Sequence, residues 1–391
     1  MFLGQIEKYN PNLIKTAVEL HQAGEIPPSC FIIDLDTVAE NTRAIVKAAQ
    51  QNGLSLYFIT KQVGFNPIFA NEVCKNGIEK AVAVDWKEAL TMMQHHIPLG
   101  HVGHLVQIPT KYLSQILKAN PEVITIFSIE KAQQLSEFAK EQGINIKILI
   151  KVIDHDSFVY SGQEGGILLD DLEKSLDAIS DFSNLEIAGV TSFPCTIFDL
   201  DQKQYIPTPN LETLQKAATI LEKRYQSEHL QINAPGNSCS DIFPLLTNYG
   251  ATHAEPGNAL TGTTPLHAIS KQPEIPALIH VSEISHHFQN TLYCYGGGLY
   301  RRSTVSRAII GNNPADMAEA RVIAPQKTSI DYYVGLKTKE KKDIHIGDTV
   351  LWSSRAQIFV TRSSVAVVKG IHTNNPALVG IYDSFGQQYI S

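Results

Sequence analysis

The amino-acid sequence predicts an α/β chain: a (β/α)₈ TIM-type barrel followed by a C-terminal all-β domain. Three observations carry this. Between about residues 30 and 260, short β-branched runs alternate with amphipathic segments; eight such runs can be counted; and after Pro265 the texture changes to short alternating runs rich in tyrosine, glycine and proline. At 391 residues the chain exceeds the usual size of one domain, and 43% hydrophobic against 18% charged residues fills a large core. The expected divisions are an N-terminal helical extension over 1–29, the barrel over 30–268 and the β domain over 269–391.

The expected barrel strands are Leu54–Lys61, Lys80–Asp85, Val102–Ile108, Val123–Ser128, Ile146–Val152, Glu186–Phe193, Gln231–Ala234 and Thr252–Glu255. Between them, apolar residues recur at three- and four-residue spacing over Pro67–Asn76, Trp86–His95, Ile129–Gln142, Leu168–Ser180 and Leu211–Gln226, which predicts helices. Asp36–Gln51 reads as a further helix leading into the first strand. In the C-terminal part TVLW (349–352), QIFVTR (357–362) and SVAVVKG (364–370) read as strands.

A net charge of −7, without a basic run, excludes nucleic-acid and anionic-membrane partners from the expectation, because phosphate chains need clustered Lys and Arg. The five cysteines (Cys30, Cys74, Cys195, Cys239 and Cys294) are far apart and read as free thiols of a reducing compartment. The first twenty residues carry charges and a proline where a signal peptide needs an apolar stretch, so cytoplasmic residence is expected.

Barrel enzymes carry their reactive groups at the C-terminal ends of strands. Lys61 ends the first strand, in YFITKQVGF. An amine at an apolar barrel mouth loses hydration of its charged form and becomes available for Schiff-base formation; on position alone a solvated edge lysine is the commoner case. The loops after the seventh and eighth strands, NAPGNSCS (233–240) and EPGNALTGTT (255–264), are rich in glycine and hydroxyl residues that converge readily on an anion. Together with a strand-end lysine they point to a phosphate-bearing carbonyl cofactor rather than to two ordinary turns. Glu255 either pairs with a neighbouring lysine or faces a pyridine nitrogen, where its charge favours the protonated ring.

These residues, in this order, resemble the fold type III pyridoxal-phosphate enzymes, the alanine racemases and their relatives, from IDLDTVAENTRAI (33–45) to GDTVLW (347–352). The combination is similar to the YhfX-like branch of that family. The resemblance implies pyridoxal 5′-phosphate anchored on Lys61, its phosphate held at Asn237-Ser238, and Glu255, Gly257 and Asn258 of EPGNALTG (255–262) around the ring and phosphate. It places the second proton-transfer tyrosine in YCYGGGLY, best on Tyr295, with Tyr293 and Tyr300 open. SIDYY (329–333) resembles the segment that completes the partner subunit's site. Departures are equally specific. Phe65 stands four residues after Lys61 where the racemases have a phosphate-bonding tyrosine. Glu255 replaces the arginine that faces the ring nitrogen, as in the fold's decarboxylases, and IKVIDHDSFVYSGQEGG lacks the carboxylate-binding arginine, with Tyr160 nearest.

What the resemblance implies is an amino-acid racemase, working through an external aldimine, with Lys61 removing the α-proton and the partner subunit's Tyr295 returning one within a homodimer. Rival readings are an amino-acid decarboxylase, a non-catalytic cofactor-binding regulator and a cofactor-free lysine aldolase. His95, His96, His101 and His104 crowd together, but without Cys or carboxylate at ligand spacing no metal site is expected. Arg301 and Arg302 are candidates for a substrate carboxylate, more often surface charges; Cys195 and Cys239 read as small buried thiols.

Overall fold

The computed structural model describes residues 2–389 apart from 227, 228, 301, 324, 327, 341 and 374. The chain forms two compact units, one of Ala44–Thr60 and Gly77–Gly257, the other of Met1–Arg43, Lys61–Asn76 and Asn258–Ser391.

The first unit is the barrel. Its parallel sheet runs in the order Ser55–Leu56, His253–Ala254, Gln231–Asn233, Leu185–Thr191, Ile146–Ile153, Val123–Ile126, Leu99–Val102, Ala81–Ala83 and Phe58–Ile59. The first and last segments are halves of one strand interrupted at Tyr57, so the sheet closes on itself with eight strands. The lumen below the strand ends is filled by Tyr57, Val82, Val84, Val123 and Leu149, one side of each strand as the two-residue period requires.

The eight expected strands are all present, but the third lies earlier, at Leu99–Val102 rather than Val102–Ile108. Glycine explains the shift. Gly103 turns at φ +80°, ending the strand, while a Cβ at Gly100 would lie 2.3 Å from the Tyr57 ring, so only glycine lets this strand pass the tyrosine. His101 therefore belongs to the strand. The helix Ile129–Gln142 starts where the sequence predicts, with the Ser128 hydroxyl accepting from Lys131 N–H, and ends at left-handed Gly143. A short antiparallel hairpin, Thr196–Asp199 with Gln204–Pro207, follows the sixth strand.

The second unit contains the helices Phe2–Tyr9 and Pro11–Gln22 and an antiparallel barrel. Its six strands are Leu278–Phe288, Thr291–Tyr295, Tyr333–Lys337, Ala318–Ile323, Arg307–Gly311 and Thr349–Trp352, closed by pairing of the first two. Cys30–Asp34, which the sequence reading groups with the first barrel, pairs here with Leu278–Phe288 and Ser364–Lys369. It is buried on both faces, as an unbroken apolar run must be. QIFVTR is not a strand: Thr361 N–H and hydroxyl both donate to the Ile358 carbonyl, curling Ile358–Val360 into a 3₁₀ turn.

Among the described residues, no helix is long and apolar enough to cross a membrane. The barrel's closure is testable at Gly189, opposite Gln231. A Cβ there would lie 1.9 Å from the Gln231 carbonyl oxygen, so Gly189→Ala should lower stability by about 2–3 kcal/mol in urea unfolding.

Candidate active site

Glu255 follows the eighth strand, His253–Ala254, and its side chain is wholly buried. Oε1 accepts from Asn233 Nδ2 at 2.8 Å and lies 2.6 Å from His101 Nδ1. His101 Nε2 meets the Thr125 hydroxyl on the next strand. Oε2 faces His104 Nε2 at 3.7 Å and has no hydrogen-bond donor among the described residues. Burial opposes ionisation of this carboxyl. The charges of His104 and His101 and the hydrogen bonds from His101 and Asn233 outweigh burial and hold it down to about 2. Among the described residues the ion pairs of Glu255 are with His101 and His104, so a histidine clamp stands where an ion pair with lysine was weighed from sequence.

His101, His104 and Glu255 also form the kind of trio that can hold a metal ion. The 2.6 Å between His101 and Glu255 is a hydrogen-bond length, whereas two ligands at ~2.1 Å on a tetrahedral ion stand about 3.4 Å apart. In this structure His101 and Glu255 are hydrogen-bonded to each other.

Lys61 opens the short turn Lys61–Val63, directly after Thr60. Thr60 N–H and hydroxyl donate to Glu88 Oε1 at 3.2 and 2.6 Å, and Val84 N–H donates to Glu88 Oε2 at 2.8 Å. Glu88 lies in the first turn of Trp86–Gln94, capped by Asp85, so an Asp-x-x-Glu helix start also fastens the residue that precedes Lys61. Strands one and eight are neighbours: Ile59 N–H donates to the Pro256 carbonyl at 2.9 Å. The strand leading into Lys61 thus runs beside the strand leading into Glu255.

The expected phosphate loop is tied down on both sides. Asn237, at φ +52°, donates through Nδ2 to the Thr196 carbonyl at 3.0 Å, and the Thr196 hydroxyl donates to the Gly236 carbonyl at 2.7 Å. Ser238 Oγ accepts from Glu255 N–H at 3.1 Å, which leaves its hydroxyl hydrogen without an acceptor among the described residues. The loop and Glu255 are therefore one hydrogen-bonded piece. Gly257 is buried beyond it. Asn258, in the other unit, opens the turn Asn258–Thr261 and receives the Thr261 and Thr263 hydroxyls on its carbonyl.

In the antiparallel barrel, Tyr295 pairs with Tyr333, their rings 6.0 Å apart. Gly296 N–H donates to the Tyr332 carbonyl and Gly297 N–H to Asp331, both at 2.8 Å, so the two segments marked from sequence, 293–300 and 329–333, lie side by side. Of the three candidate tyrosines Tyr295 is the exposed one, while Tyr293 is stacked on His286 and Tyr300 is half-buried. Phe65 is fully buried against Phe359 and Phe385. Cys195 and Cys239 are buried, and burial and then the Glu255 charge push the Cys195 thiol well up. Tyr160 is half-buried beside Phe193, Arg302 is exposed, and Arg301 lies outside the described residues.

Residues 33–265 match the family model of the alanine racemase N-terminal domain, and 279–378 that of the YhfX-like C-terminal domain. The chain belongs to the alanine racemase-like family. Over 387 residues, 99% of each chain, it is 40% identical to the YhfX protein of Escherichia coli (strain K12). An alanine racemase of Clostridium difficile 630 superposes with a TM-score of 0.65 at 16% identity, covering 91% of this chain and 98% of that one. A D-threonine aldolase from Filomicrobium marinum gives 0.66 at 14% identity over 93% and 96%. D-threo-3-hydroxyaspartate dehydratase from Delftia sp. HT23 gives 0.65 at 13% over 92% and 97%. These structures share the fold of this chain, a TIM-type barrel with a separate antiparallel β domain.

Sequence reading missed His101, Asn233 and Thr125 as partners of Glu255. The available signal was parity: His101 and Gly103 alternate on one side of a strand, but with that strand expected at 102–108 the histidine fell outside it. The pH dependence of stability tests the clamp. A carboxyl depressed from 4.5 to about 2 stabilises the fold above pH 4.5 and loses that stabilisation as pH falls through 2. Glu255→Gln should therefore be less stable than the parent at pH 7, by on the order of 3 kcal/mol, with the gap narrowing below pH 4.5 in denaturant titrations.

Proposed function

We propose that the protein is a pyridoxal-phosphate enzyme that inverts the α-carbon of an amino acid, with Lys61 as covalent anchor. The observation that carries this is the buried, ionised Glu255 with Oε2 open to a donor. A protonated ring nitrogen supplies one N–H donor of the right charge, and the unused Ser238 hydroxyl hydrogen suits a phosphate oxygen. The residues present therefore fit the cofactor. When bound, it supplies an electron sink for the substrate Cα, which Glu255 deepens by keeping the ring nitrogen protonated.

Lys61 and Tyr295 then divide the proton work. The Lys61 amine takes the α-proton on one face. The partner subunit's Tyr295 returns one on the other, which makes a two-fold dimer part of the proposal. Exposure of Tyr295, Tyr332, Tyr333 and Ile330 on one rim supports a partner covering it. Decarboxylation is the second reading, favoured by Glu255 itself, because the same stabilised negative charge at Cα follows loss of carbon dioxide.

Borohydride reduction of protein supplied with pyridoxal phosphate should place a phosphopyridoxyl group on Lys61 in peptide mapping, and Lys61→Ala should lose it. In a panel of D- and L-amino acids, chiral chromatography should show interconversion without carbon dioxide release; the reverse result selects the decarboxylase. Tyr295→Phe should keep the Lys61 adduct and slow interconversion roughly 10²–10⁴-fold.

A further inference from the structure

Lys151 is the only fully buried lysine or arginine among the described residues. It lies on the fifth strand, Ile146–Ile153, two positions beyond Leu149 and so on the same, lumen-facing side. Its register partner is Thr191, and Thr191 in turn pairs with Asn233, the donor to Glu255. Two inter-strand steps of ~4.8 Å thus separate Lys151 from Asn233 around the barrel wall.

The surroundings of the amine are incomplete for a buried cation. Nζ donates to the Gln163 carbonyl at 3.1 Å and stands 4.3 Å from the centre of the Phe127 ring. No carboxylate lies within ion-pair distance, and Gln163 is its single hydrogen-bond acceptor among the described residues, although an ammonium has three donors. The loop carrying Gln163 is shaped to lie here. A Cβ at Gly165 would stand 3.0 Å from the Phe127 ring, and one at Gly166 would stand 2.9 Å from the Lys151 carbonyl oxygen. Burial, opposed in part by the Glu164 charge, draws the amine down to about 8.

A buried cation with spare donors is a cost to the fold unless an anion arrives to use them. We propose that Lys151 is the binding residue for the substrate carboxylate. It supplies, from a strand, the charge that an arginine of the segment 150–166 does not supply. The inference rests on the amino-acid reading above for the identity of the ligand, but the anion site stands on the geometry of the lumen.

The test is an acetate titration, followed by saturation-transfer NMR of the acetate methyl, on the full-length protein supplied with pyridoxal phosphate. Acetate is a carboxylate without an amine. Lys151→Met should weaken acetate at least tenfold and Lys151→Arg should retain most of it, while both variants keep the Lys61 adduct. Melting of Lys151→Met at an unchanged or higher temperature is also expected, since a lysine kept for structure would lower it. Equal acetate binding by parent and Lys151→Met, or no binding by the parent, overturns the proposal. If no adduct forms on Lys61 yet acetate still depends on Lys151, the cofactor reading fails and the anion site stands.

Discussion

The wholly buried carboxylate of Glu255 is the constraint around which the barrel is organised. An ionised carboxylate taken out of water costs several kcal/mol unless its oxygens are paired and hydrogen-bonded. Here the compensation comes from three strands at once: His101 from the third, Asn233 from the seventh, and Thr125 of the fourth behind His101. Such a group specifies register. A one-residue slip of the third strand would turn His101 outwards and leave Oε1 with one donor fewer, a loss of roughly 1.5–3 kcal/mol for a bond to a charged group. His101, Asn233 and Thr125 occur in this lumen because this one anion requires them.

The same logic reaches Thr60, the residue before Lys61, through the wall of the barrel. Thr60 is fixed by Glu88, and Glu88 is fixed by the second strand and the start of the following helix. The strand that ends before Lys61 is hydrogen-bonded to the chain that continues from Glu255. A side chain that follows so anchored a strand end would lose less freedom on binding a ligand. The loop 233–240, through Ser238 and the Glu255 N–H, belongs to the same hydrogen-bonded piece.

Much of this was legible from sequence, for identifiable reasons. Strands and helices of a βα repeat announce themselves by period, and Ser128 and Gly143 mark both ends of one helix. Lys61, the Asn237-Ser238 step and Glu255 were singled out from sequence because their motifs are short and local. The partners of Glu255 could not, because His101 and Asn233 are 154 and 22 residues away in the chain and meet it only through closure of the barrel. A two-glycine run, GHVG, disguised where the third strand begins. Lys151 was hidden in plain sight: its run reads as a buried strand, and nothing local says that its amine points inward. The Cys30–Asp34 strand was ambiguous because a short apolar run fits either sheet.

On the proposed cofactor reading, glutamate in place of arginine opposite a ring nitrogen would change which residues govern the reaction. An arginine cation opposes protonation of the ring and so weakens the electron sink; a carboxylate held near pKa 2 favours protonation and strengthens it. A deeper sink stabilises negative charge at Cα whichever bond was broken to form it, so the ring alone cannot choose between losing a proton and losing carbon dioxide. With the cofactor bound, that choice would fall to the residues that orient the substrate. A cation gripping the substrate carboxylate would hold the bond to carbon dioxide in place and leave the α-hydrogen to be removed. Lys151, strand-borne and buried, is the residue proposed for that restraint, and on that reading the choice of reaction would follow from where one amine points.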